Sequence, residues 1–125
     1  MYIISIIKNI HVFAHWGNIV PTVILTPERI EHIKEGHYND YNLYGHHIPE
    51  AIENPTYILE DSKNENTAMF IKHIEETNIN VVVKLAFANN INNMHSSVIT
   101  MYPLGIKTLK RIIKKNSIIY KADNP

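Results

Sequence analysis

The stretch INVVVKLAFA, Ile79 to Ala88, decides how this chain is read. Alternation along a strand puts Val81, Val83, Leu85 and Phe87 on one side, and Val82, Lys84, Ala86 and Ala88 on the other. The first set belongs to a core. The second is a run of small residues around one lysine, which predicts a sheet face that is open, concave and positively charged. Lys84 is then either a snorkelling side chain or a cation with work on that face.

Working outward, SSVITMYP (Ser96 to Pro103) reads as the next strand, Ser96 to Tyr102. Here Ile99 and Met101 alternate with Val98, Thr100 and Tyr102. If both apolar sets meet one core, Thr100 falls on the Lys84 side. Ser97 then faces inward, or sits at the strand's start where a bulge can turn it. Thr100 read alone is equally an ordinary β-branched strand residue.

Upstream, Tyr57 to Glu60 and Ala68 to Glu75 are strands separated by the polar turn DSKNEN, and a loop rich in asparagine precedes Ser96. Spacing and turn chemistry predict an antiparallel meander. Downstream, apolar residues at 106, 109, 112 and 113 predict a helix over Ile106 to Lys115 with lysines outside, then a last strand, Ser117 to Ala122.

The N-terminal part differs. Tyr2 to Phe13 is rich in isoleucine and reads as a strand or two, followed by a turn at His15 to Asn18 and an extended lead-in from Thr22 to Leu25. Thr26 is a good N-cap and Pro27 suits the first helical position, while Gly36 is placed to end the helix. A shorter helix follows at Pro49 to Glu53, stopped by Asn54–Pro55. The pattern predicts an α+β domain spanning residues 1–125, with N-terminal helices packed on a four-stranded or slightly larger antiparallel sheet.

Composition narrows the function. The chain has 125 residues, 45% apolar and 19% charged, as in globular domains with a real core. It has no cysteine, so disulfides and thiolate metal sites are excluded. MYIISIIKNI lacks a signal peptide's basic start and cleavage site, and no run approaches a membrane span, so the expectation is a cytoplasmic protein without membrane contact. The net charge of zero hides an asymmetry. Residues 1–76 carry 5 Lys or Arg against 11 Asp or Glu, and residues 77–125 carry 7 against 1. The basic half suits a polyanion, although separate solvated faces give the same count.

The remaining chemistry rests on few residues. Arg29 and His32 stand i to i+3 on the first long helix, at the border of its Ile30–Ile33 stripe. Such a pair is either a structural boundary contact or part of a reactive site. His32 and His37 are five apart, whereas a zinc helix motif needs two histidines four apart; no acidic cluster of ligand type is present, so no metal or cofactor is expected. No glycine-rich phosphate loop or nucleophile elbow occurs. Histidine, lysine, arginine and hydroxyls beside a basic half suit metal-free cleavage of RNA.

In chain order, LTPERIEHIKEGH, IPEAIENPTYIL, NVVVKLAFA, SSVITMYPL and IIYKA make the sequence resemble the phage-associated members of the barnase–EndoU–colicin–RelE-like superfamily of nucleases. The resemblance runs from about Val23 to Ala122 and is most specific at Arg29 to Ile33 and Ser97 to Thr100. It implies helices followed by an antiparallel sheet bearing the active site, and a metal-independent endoribonuclease acting as a toxin or effector on tRNA or another RNA. It implies an acidic antitoxin or immunity protein as partner, and action in the cytoplasm, including that of a target cell. Carried onto this chain, the catalytic residues are His32, Lys84, Ser97 and Thr100, with Arg29, Tyr120 and Lys121 binding substrate. His95–Ser96 depart from the family pattern, which expects a basic residue and asparagine there; either Ser96 or Ser97 is the equivalent serine. The alternative function is an inactive RNA-binding or protein-interaction domain of the same fold.

Overall fold

The computed structural model describes residues 3–89 and 95–123, apart from the side chains of residues 37 and 38. Within these, four α-helices accompany one sheet of seven strands. The fold is α+β, as predicted, but the sheet is larger than four strands because both terminal regions add to its edges.

The predicted meander forms its centre. Strands β3 (Tyr57–Glu60), β4 (Thr67–Ile74), β5 (Thr77–Lys84) and β6 (Ser96–Leu104) pair antiparallel in that order. On one side, β2 (Thr22–Ile24) joins β6 in parallel and β1 (Ile3–Ile6) joins β2 antiparallel. On the other, β7 (Ser117–Lys121) pairs with β3. The full order is β1-β2-β6-β5-β4-β3-β7. The chain reaches the far edge through helix α4 (Ile106–Lys115), which crosses the sheet between β6 and β7.

Three boundaries differ from the sequence reading. Residues 10–13 belong to helix α1 (Ile10–Trp16) and not to a strand. The Asn9 side chain accepts from the His11 N–H at 2.9 Å, and Gly17 closes the helix at φ +94°, a conformation that favours glycine. Only one face of that isoleucine-rich segment is buried: Val12 has no exposed surface while Ile10 is 74% exposed.

The second difference is at Gly36. Helix α2 begins as expected, with Thr26 Oγ1 accepting from the Arg29 N–H at 3.1 Å, but it runs from Pro27 to Tyr44. Gly36 keeps helical geometry inside it, and a Cβ there would meet nothing. Glycine weakens a helix interior by about 1 kcal/mol relative to alanine but stops it only by turning left-handed. A 3-10 turn (Gly45–His47) then leads into α3 (Ile48–Glu53), with proline in its first turn.

The third is the end of β5. Leu85 to Ala88 leave the ladder: Leu85 N–H donates to Asn66 O, and Ala86 O accepts from Val20 N–H, each at 2.8 Å. The asparagine-rich loop ahead of β6 falls largely at residues 90–94, outside the described residues.

Two cores sandwich the sheet. The larger sets Ile58, Phe70, Val81, Val83, Val98 and Met101 against Val12, Ile33, Ile48 and Ile52 of α1, α2 and α3. The smaller sets Leu59, Met69, Ile71, Val82 and Leu104 against Leu109 of α4. The Val82 face is therefore not open throughout, as its small residues suggested. Helix α4 covers one end, and only the Lys84 end is exposed.

Candidate functional site

The open end of that face is where the singled-out residues collect, and a bulge puts them there. Val82 pairs with Thr100, but Val83 pairs with Val98 and Lys84 with Ser97, leaving Ile99 as an extra residue in β6. Val98 and Met101 keep their places in the large core. Ser97 and Thr100, opposite Lys84 and Val82, consequently share the other face, which regular alternation forbids.

Helix α2 completes the site. Strand β2 stops at Ile24, level with Ser97, and beyond it α2 packs along β6. Ile33 enters the large core while Arg29 and His32 look toward Ile99 and Thr100. Three adjoining depressions result. One, of about 380 Å³, is lined by Thr26, Arg29, Lys84, Ser97 and Ile99. The next, of about 540 Å³, has Arg29, His32, Glu35, Gly36 and Thr100 in its walls. The last, of about 440 Å³, lies between Lys84, Thr100, Tyr102 and the turn residues Asp61 and Asn64. Arg29, Lys84 and Thr100 are shared between neighbouring depressions, making one continuous groove.

Within it, His32 is 67% exposed, with Nδ1 4.0 Å from a Glu35 carboxylate oxygen. Lys84 Nζ donates to Glu65 O at 2.7 Å, which anchors the ammonium at the groove rim while leaving it exposed. The two serines differ sharply. Ser96 has no exposed surface; its hydroxyl donates to Val20 O at 2.8 Å and accepts from Ala86 N–H at 3.0 Å. Ser97 lines the groove. His95 is held through Nδ1 by Thr22 Oγ1 at 2.8 Å and does not line the three depressions.

The remaining two residues lie elsewhere. Tyr120 stacks on His11 of α1, with ring centroids 5.6 Å apart, and packs against the large core on the opposite face. Lys121 is on β7, with three strands between it and β6, or roughly 19 Å at the usual strand spacing. Neither joins the groove.

Sequence reasoning gave Tyr102 no place in the site. Its hydroxyl accepts from the amide of Asn80, a side chain with no exposed surface, at 3.1 Å. A wholly polar Asn80 on the same strand face as Lys84 was the available signal. Among the described residues no three His, Asp or Glu side chains cluster as metal ligands, and no helix is long and apolar enough to cross a membrane.

No match was found among curated proteins or solved structures. A family sequence profile does match residues 8–111, ending before Tyr120 and Lys121. It takes in α2, the meander and the whole groove, and by that match the chain belongs to the phage-Barnase-EndoU-ColicinE5/D-RelE like nuclease 3 family.

Proposed function

We propose that the protein is a metal-independent endoribonuclease that cleaves structured RNA, such as tRNA, by attack of a 2′-hydroxyl on the adjacent phosphate. The observation carrying this reading is that α2 and the β5–β6 pair, far apart in sequence, present Arg29, His32, Lys84, Ser97 and Thr100 to one groove. A phosphate seated at Thr100 has His32 on one side and Lys84 on the other.

In this mechanism His32 takes the 2′-hydroxyl proton and the 2′-oxygen bonds to phosphorus. The bond from phosphorus to the 5′-oxygen breaks, and the leaving oxygen takes a proton from the Lys84 ammonium. The products are a 2′,3′-cyclic phosphate and a 5′-hydroxyl. Lys84 and Arg29 offset the charge gathering on the phosphate oxygens, while the Ser97 and Thr100 hydroxyls donate to them. Holding the 2′-oxygen in line supplies much of the rest. As a toxin or effector acting in a cytoplasm, the protein would have an acidic neutralising partner seated over this groove.

Total RNA incubated with the protein in excess EDTA tests the reading. Discrete cleavage is expected, with loss in His32→Ala. Intact RNA with the wild type would favour a non-catalytic RNA-binding domain, a reading to which the high exposure of His32 lends some weight. Equal cleavage by both proteins would retain the nuclease and remove His32 from its mechanism.

A further inference from the structure

The outer face of α4 lies on the same side of the sheet as the groove and has no part in the chemistry above. Leu109, Ile112 and Ile113 turn toward the sheet. Lys107, Lys110, Arg111, Lys114 and Lys115 are all exposed, and the helix has no acidic residue. Among the described residues none of these five cations has an ion pair.

Folding alone does not account for this pattern. Lys114 and Lys115 sit in the last turn, where the helix dipole favours cations. Lys107 sits in the first turn, where the dipole disfavours them. Lys107–Arg111 and Lys110–Lys114 are like-charge pairs at i, i+4, which destabilise a helix. The face repels itself until an anion arrives.

The C-terminal end of α4 is tied to the groove. Asn116, its C-cap, accepts from the Ser62 N–H at 2.8 Å. Ser62 belongs to the turn whose Asp61 and Asn64 line the groove and whose Glu65 carbonyl holds Lys84. The cationic face thus leads to the groove rim through one pinned turn.

We propose that the exposed face of α4 binds substrate phosphates beyond the cleaved linkage, so that the preferred substrate is an extended RNA strand or stem and not a dinucleotide. This rests on the nuclease reading. Ten residues of helix span about 15 Å, the reach of a few successive phosphates along one strand. The contact is sequence-independent and acts on binding, leaving the chemical step to the groove.

The test compares wild type with the triple variant K110Q/R111Q/K114Q on a dinucleotide and on a long stem-loop RNA. The variant should show a raised KM for the long RNA, an unchanged kcat, and KM for the dinucleotide within experimental error of wild type. Three fewer neutralised phosphates mean that wild type loses ~20- to 40-fold more affinity than the variant between about 50 and 200 mM salt. Equal KM values and equal salt dependence would overturn the proposal and leave the face for an acidic protein. If neither protein cleaves RNA, filter binding of the same stem-loop separates the two ideas. A salt-sensitive loss in the variant then supports α4 while the nuclease reading fails; identical binding overturns α4 as well.

Discussion

The two faces of the central sheet are made by the same strands, yet they treat adjacent residues in opposite ways. Toward α1, α2 and α3, Ile58, Phe70, Val81, Val83 and Met101 have no exposed surface. On the other face burial fades along β5: Asn80 is sealed, Val82 is 8% exposed, and Lys84 is open. The sealed face sets the register, because a one-residue slip there would expose every core side chain. The half-covered face has no such demand at its Lys84 end, and there the ladder tolerates an extra residue and collects polar groups.

The contrast breaks first at its extremes. Phe70→Ala should lower stability by about 3–5 kcal/mol, read from urea unfolding, because a wholly buried ring leaves a cavity. His32→Ala should leave stability within about 0.5 kcal/mol and reduce RNA cleavage by roughly 10²- to 10⁴-fold. If the histidine variant unfolds as early as the phenylalanine variant, the groove is a structural element and the division of labour is wrong.

Adjacent serines sharpen it further. Ser96→Ala strips partners from a buried N–H and a carbonyl and should cost about 1–3 kcal/mol. Ser97→Ala should be neutral in stability and lower cleavage roughly tenfold or more, as expected for a lost hydrogen bond to a charged group. The reverse pattern would make Ser96 the functional serine.

Smaller effects follow at the margins. Gly36→Ala should stabilise α2 by roughly 0.5–1 kcal/mol, since the added methyl meets nothing. Because Gly36 lines the groove, the gain should come with weaker RNA binding, and unchanged binding would exclude that stretch from the substrate path. Smallest is the acid response of Glu53. A hydrogen bond from Ser5, with support from Lys8, holds its carboxyl below the usual carboxylate range. A folded-state value below the unfolded one stabilises the protein at neutral pH, and this is lost as pH falls through the folded value. Glu53→Gln should remove that part of the acid sensitivity, under about 1 kcal/mol for so exposed a pair. Unfolding curves of the two proteins that remain parallel down through the acid range would refute it.

Much of this was legible in the sequence because periodicity reports burial. Helix α4 and strands β3 and β4 follow their apolar spacing closely, whereas β5 begins and ends earlier than its apolar run and β6 is interrupted by its bulge. Gly36 misled because a mid-helix glycine and a terminating one look alike, and only tertiary packing carries α2 on to Tyr44. Helix α1 was hidden by isoleucines of high β propensity, with Asn9 as the one local signal against them. Tyr120 could not be separated from the groove without knowing that α4 carries β7 to the opposite edge. The bulge did leave a trace. Ser97 and Thr100 are three apart, and an odd spacing between residues meant for one face is incompatible with a regular strand.

That odd spacing also has an evolutionary reading. With two residues between Ser97 and Thr100, the groove depends on one of them being left out of the ladder more than on what that residue is. Substitutions at Ile99 that keep its bulk leave the groove residues where they stand. Deleting Ile99 would restore even alternation and leave Ser97 and the threonine two apart, still on one face, while removing the bend that the bulge gives β6. A relative that lacks the extra residue can therefore keep both hydroxyls in the groove, whereas a β6 that keeps every residue but pairs Ile99 into the ladder would turn one of them toward the core.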